Sequence, residues 1–187
     1  SPNVVGGGGA GSDTTAFWFV PYGDHATSLI VPEGITAGIV REDKGEQRVL
    51  DGSSNAYYVK EELFRQHVGV CVKDWRFNAR VCNIDVSNVI GGSVQLNPLM
   101  RKAYYTMQGR RNYGIDNGGS MVGATRTVIY MNRTLLEALD AESTNKTSAD
   151  NFIRLRPMEI QGEEVMTWRG IPIRDTDNLL NTETLVA

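Results

Sequence analysis

A chain of 187 residues with 41% apolar residues, 22% charged residues and a net charge of −3 is long enough for one sizeable core, or for two small units sharing one. Mixed charge argues against a dedicated nucleic-acid surface, which needs clustered Lys and Arg, and the apolar content excludes a disordered chain. No apolar run reaches the length of a membrane span, and no charged-then-apolar leader opens the sequence.

Residues 1–14, containing the run NVVGGGGAGS, read as a Gly-rich linker. A phosphate-cradling loop would follow a strand, enter a helix and usually supply a Lys, whereas this run leads into the strand-like Ala16-Phe17-Trp18-Phe19-Val20. Pro21-Tyr22-Gly23-Asp24 is turn chemistry, and Ser28 to Val31 reads as a short strand stopped by Pro32. In the polar stretch from Gly34 to Gly52, Ile39-Val40 and Val49-Leu50 flank the charged run REDKGEQR. Two short strands joined at Lys44-Gly45 would make a projecting hairpin there, the alternative being a solvated loop. Tyr57-Tyr58-Val59 starts a further extended stretch that continues through Leu63 and Phe64.

Residues 68–86, VGVCVKDWRFNARVCNIDV, carry the strongest strand character. Val68, Val70 and Val72 share one face, the apolar residues then move to odd positions at Trp75, Phe77, Ala79 and Val81, and return to even positions at Cys82, Ile84 and Val86. Each change of parity marks a bulge or a change of neighbour, and Lys73-Asp74 is a poor tight-hairpin pair, so one long bulged strand is expected. Cys71 and Cys82 match neither a zinc motif nor a disulfide framework and are expected as buried thiols. Residues 15–88 thus read as one meander-rich antiparallel β domain.

Residues 89–163 change character. Asn97-Pro98 predicts a helix start, with Leu99, Met100, Ala103, Tyr104 and Met107 on its core face and Gly109 as its C-terminal cap. The segment from Arg110 to Gly123 reads as an exposed loop. TRTVIYM from Thr125 predicts a strand running into Asn132, a natural N-cap for a helix from Arg133 to about Glu142 that presents Leu135, Leu136 and Leu139. Residues 143–151 are loop-like. Residues 164–187 read as strands returning toward the first sheet, with Gly170 and Pro172 demoting EVMTWRGIPIR to an edge or bulged strand.

No residues assemble into an active site, and no catalytic, cofactor-binding or metal residues are assigned. Asp24, His25 and Ser28 resemble a triad on paper but lack a nucleophile-elbow pattern such as GxSxG. His67 reads as a boundary residue, Asp175 and Asp177 as solvated carboxylates rather than a cation site, and Asp13, Asp116 and Asp150 as turn residues. Arg110-Arg111 is the densest basic spot and a weak signal.

Five segments, NVVGGGGAGSDTTAFWFVPYG, IVPEGITAGIVREDKGE, VGVCVKDWRFNARVCNIDV, TVIYMNRTLLEALD and TWRGIPIRDTDNLLNTETLV, resemble in the same order the C-terminal part of tailed-bacteriophage major capsid proteins. The resemblance implies an α+β fold of the Hong Kong 97 type, with a long-stranded peripheral sheet (15–88) and a mixed α/β axial domain (89–163). It also implies that the family's N-terminal arm, extended loop and spine helix lie outside these residues, Ser1 falling roughly halfway along the subunit. The implied role is a shell subunit whose copies form hexamers and pentamers around packaged double-stranded DNA, contacted non-specifically, with scaffold, portal and decoration proteins as further partners and no membrane or cofactor. An encapsulin-like shell enclosing a cellular enzyme is the alternative. Under the resemblance, the charged segment around Arg41, Lys44 and Arg48 and the Asp116 loop are expected to contact neighbouring subunits.

Overall fold

The computed structural model describes residues 3–23, 26–107, 126–144, 156–160 and 163–186, and the chain forms two compact units. One unit comprises Ser1–Thr27 with Val72–Ala187, the other Ser28–Cys71. This division departs from the expected boundaries at 15–88, 89–163 and 164–187. The reason is long-range pairing: the strands on either side of residues 28–71 pair with each other and with strands from the second half of the chain.

In the larger unit the strands are β1 (Val4–Gly6), β2 (Thr14–Tyr22), β7 (Ala79–Asp85), β8 (Arg126–Met131), β9 (Arg156–Ile160), β10 (Glu163–Trp168) and β11 (Ile171–Asp175). They order as β1-β7-β2-β8-β11-β10-β9. β1 runs parallel to β7 and β11 parallel to β8, while the other neighbours are antiparallel, so the sheet is mixed rather than a meander. Val5, Val81, Phe17, and separately Phe19, Ile129 and Ile173, are cross-strand partners in register, and all are buried on one face. Helices α2 (Leu96–Thr106) and α3 (Arg133–Thr144) join the same core through Leu96, Met100 and Ala103 and through Leu135 and Leu139. Short helix α1 (Val86–Ile90) adds Val89.

The residues expected as linker are partly strand. β1 lies along β7, and the ladder continues as Gly7 N–H donates to Cys82 O (2.7 Å) and Gly9 N–H to Asn83 O (2.7 Å). A Cβ on Gly7 or Gly9 would sit 2.8 Å from Asn83 O, so glycine here permits close approach of two backbones rather than flexibility.

The expected long strand at 68–86 is two strands. β6 (Gly69–Val72) and β7 are separated by a 3-10 turn at Trp75–Phe77, whose first N–H groups are met by Asp74: its carboxylate accepts from Arg76 N at 2.9 Å. The second parity change is the expected bulge. Thr15 pairs with Ile84 but Phe17 with Val81, leaving Cys82 and Asn83 opposite Ala16 alone, and Asn83 takes a left-handed φ of 54°.

β3 (Thr27–Ile30) pairs β6 and, at Thr27, the end of β2, and in the smaller unit β4 (Ile39–Leu50) pairs β5 (Ala56–Gln66) as an antiparallel ribbon. Lys44-Gly45 is not the hairpin tip. It is a bulge within β4, where Gly45 has φ 77° and its N–H donates to the Asp43 carboxylate at 2.8 Å. The turn falls at Asp51–Asn55 instead, held by the Asp51 carboxylate accepting from Ser53 N (2.8 Å) and Asn55 N (2.9 Å).

Helix α2 starts two residues earlier than expected, with Gln95 rather than Asn97 at the cap position and no side-chain cap of its own. Glu142 of α3 supplies the missing acceptor, receiving Leu96 N at 2.8 Å and Asn97 N at 3.3 Å, while Asn97 Oδ1 accepts from Trp168 Nε1 at 3.1 Å. Asn132 does cap α3, accepting from Leu135 N at 2.9 Å. The edge or bulged strand expected over 164–174 is a hairpin, β10 and β11 joined at Arg169-Gly170, which both have positive φ. Its second strand lies inside the sheet, against β8. Gly109, the Arg110–Gly123 loop, Asp116, Asp150 and residues 145–151 lie outside the described residues.

Candidate functional site

Asp24 and His25 lie outside the described residues, and Ser28 is half-buried at the start of the smaller unit. His67 is exposed at the boundary between β5 and β6. Asp175 and Asp177 face Arg133, with Nε and Nη2 each 3.2 Å from a carboxylate oxygen, an exposed three-residue ion pair. Asp13 accepts from Ser87 Oγ at 2.6 Å, and its own carbonyl accepts from Val86 N at 3.0 Å, a turn role. Cys82 is buried, whereas Cys71 is only half-buried. Among the described residues no group of three His, Cys, Asp or Glu side chains could hold a metal ion, and no helix is long and apolar enough to cross a membrane. Arg110 and Arg111 are outside the described residues.

What the structure assembles is a surface. No residue between Ser28 and Cys71 is buried. The β4–β5 register puts Ile39, Arg48, Leu50, Tyr58 and Phe64 on one face and Val40, Val49, Tyr57, Leu63 and Arg65 on the other. Tyr58 is 74% exposed and Phe64 60%, and Val68, Val70 and Val72 share a face as expected but are 52%, 68% and 51% exposed rather than buried. A two-stranded ribbon has one hydrogen-bonded seam and cannot cover either face itself, so apolar residues on both faces remain in water until something packs on them.

Five of the charges on the ribbon pair with one another. Arg41 pairs with Glu62 across the strands, and Glu42 takes both Lys44 and Arg65. Hydrogen bonds from Lys44 and then Arg65 hold the Glu42 carboxyl below its ordinary range, and the Asn55 and Ser53 backbone N–H groups do the same for Asp51. The sheet of the larger unit carries its own polar pair on the face opposite the core. Tyr22 and Tyr130 hydroxyls meet at 3.1 Å, and desolvation, followed by that hydrogen bond, pushes the Tyr22 phenol up to about 12.

The smaller unit thus presents broad, mixed apolar and charged faces and has no buried residue of its own. The chain belongs to the family described as Major capsid protein GP7, whose model it matches over residues 1–187. It is also similar to a chain in the near-atomic resolution structure of bacteriophage Epsilon15 derived from cryo-EM and modelling. The two share 29% sequence identity at a TM-score of 0.59, over 98% of this chain and 53% of that one. The chain therefore spans about half the length of the solved chain it matches. A search of curated proteins returned no match.

Proposed function

We propose that these residues are the shell-building part of the major capsid subunit of a tailed double-stranded DNA phage, a subunit that closes with copies of itself into the hexamers and pentamers of an icosahedral head. The family match over the whole chain carries this reading, and the unburied ribbon supports it, since a unit without a core of its own is completed by neighbours. In a fold of the Hong Kong 97 type, residues 28–71 take the peripheral role, and the mixed sheet with its helices takes the axial one. The packaged DNA is contacted without sequence selectivity, and scaffold, portal and decoration proteins are further partners. The protein resides in the virion after assembly in the host cytoplasm. A shell around an enzyme cargo is the less favoured reading, because the matching family is one of major capsid proteins.

Arg41 and Lys44 are engaged within the ribbon, so reversing them would disturb the ribbon itself. The cleaner test is the double variant Tyr58→Ser with Phe64→Ser in the full-length subunit, because both side chains are exposed and on one face. Particle yield by electron microscopy is expected to fall at least about tenfold, with subunit stability unchanged within about 0.5 kcal/mol. Normal particles from this variant would remove the ribbon from the contact surface.

A further inference from the structure

Residues 176–186 follow β11 without strand or helix, and none of them is buried. Leu180 and Leu185 are exposed and Leu179 and Val186 only half-buried, so apolar burial contributes little to holding the segment down. Polar contacts hold it. Near its start, Thr176 N–H donates to Met131 O at 2.9 Å, and Asn132 Nδ2 donates both to Asn181 Oδ1 and to Thr15 Oγ1. Further on, Glu183 N–H donates to Thr14 O at 2.7 Å, Thr14 Oγ1 donates to Glu183 O at 2.8 Å, and the Glu183 carboxylate pairs with Arg80 at 2.9 Å. The last clasp is Asn83, whose amide works in both directions: Nδ2 donates to Val186 O at 2.8 Å and Oδ1 accepts from Val186 N at 2.9 Å.

Asn83 is the bulge residue of β7 with the left-handed backbone. Its carbonyl accepts from Gly9 N, and the glycines at 7 and 9 are packed against that same oxygen. One residue therefore holds the Gly-rich segment through its backbone and the 176–186 segment through its side chain. Left-handed φ is costly for most residues with a Cβ, mild for Asn and free for Gly, so the backbone and side-chain roles can be separated by substitution.

We infer that residues 183–186 form a releasable strap, latched by Asn83, which detaches from β2 and β7 as a unit while the sheet stays folded. Hydrogen bonds to groups that water can equally satisfy exchange readily, whereas the buried face of the sheet does not. A detached strap leaves the Thr14 carbonyl, the Arg80 guanidinium and the Asn83 amide open to another extended segment. The strap does not depend on the shell reading, since its contacts all lie within the larger unit.

Hydrogen exchange followed by mass spectrometry on the full-length chain tests this. Asn83→Gly keeps the left-handed backbone and removes only the amide clasp. Exchange at 183–186 is expected to rise at least tenfold, with peptides covering Gly7–Gly9, β8 and α3 unchanged. Asn83→Ala also strains the bulge, and is expected to speed exchange at both 183–186 and Gly7–Gly9. Thr14→Val, which removes one strap bond at nearly constant volume, is expected to give a smaller rise confined to 183–186. Unchanged exchange at 183–186 in Asn83→Gly, or a rise that spreads through β8 and α3, would overturn the strap.

Discussion

At the scale of single residues, two positions, one buried and one on the face opposite the core, carry notable polar chemistry in the larger unit. Asn132 caps α3 through Oδ1 and holds Thr15 and Asn181 through Nδ2, so one buried amide ties the end of β8 to β2 and to the segment after β11. Asn132→Ala is expected to destabilise the chain by about 2 kcal/mol in chemical denaturation, the sum of a lost cap and stranded partners. Asn132→Asp, which keeps the cap acceptor but loses both donations, should recover part of that loss. Tyr22 is the other position. Its phenol pKa, raised from 10.0 to about 12 by burial and the Tyr130 hydroxyl, means that the folded state keeps this proton longer than the unfolded chain. The sign follows: its stabilisation is complete below about pH 10 and is lost as pH rises through 12. Tyrosinate absorbance should show a late phase from Tyr22, and Tyr22→Phe should remove that phase. A titration of the variant that still shows it would assign the shift elsewhere.

At the scale of elements, α2 has no side-chain cap of its own and borrows Glu142 from α3, joining the two core helices by an acceptor as well as by packing. Glu142→Ala is expected to cost about 1–2 kcal/mol, with the first turn of α2 exchanging its amides faster than the last. Uniform loosening of α2 would show that packing rather than the cap sets the start. How much of each element was legible depends on how local its determinants are. The cap at Asn132 was readable because it lies three residues from the N–H it serves. The bulge at Cys82–Asn83 was readable because a parity change in the apolar pattern records it directly. The start of α2 was misplaced because its acceptor is 46 residues away, and the ribbon turn was misplaced because Lys44-Gly45 and Asp51-Gly52 are both turn-like. Only pairing across the full length of β4 and β5 decides which one bends the chain and which one bulges.

At the scale of the whole molecule, the smaller unit has length and strand pairing but no buried residue of its own. Under the shell reading, amides of Ile39–Leu50 and Ala56–Gln66 are expected to exchange quickly in the unassembled subunit and to slow at least about tenfold in particles, measured by hydrogen exchange on both forms. Equal exchange in the two states would place the covering contacts within the subunit. The sequence by itself determined the strand character of β2, β7 and β8, the core helices, the bulge parity and, through five segments in order, the capsid resemblance, because each of these is written in neighbouring residues. The tertiary structure alone decided which faces are buried. Val68, Val70 and Val72 alternate as a core strand does and yet lie in water, while Gly7 and Gly9, in a run that looks like a linker, are packed against β7. Alternation states that side chains share a face; only the neighbour opposite determines whether that face is covered.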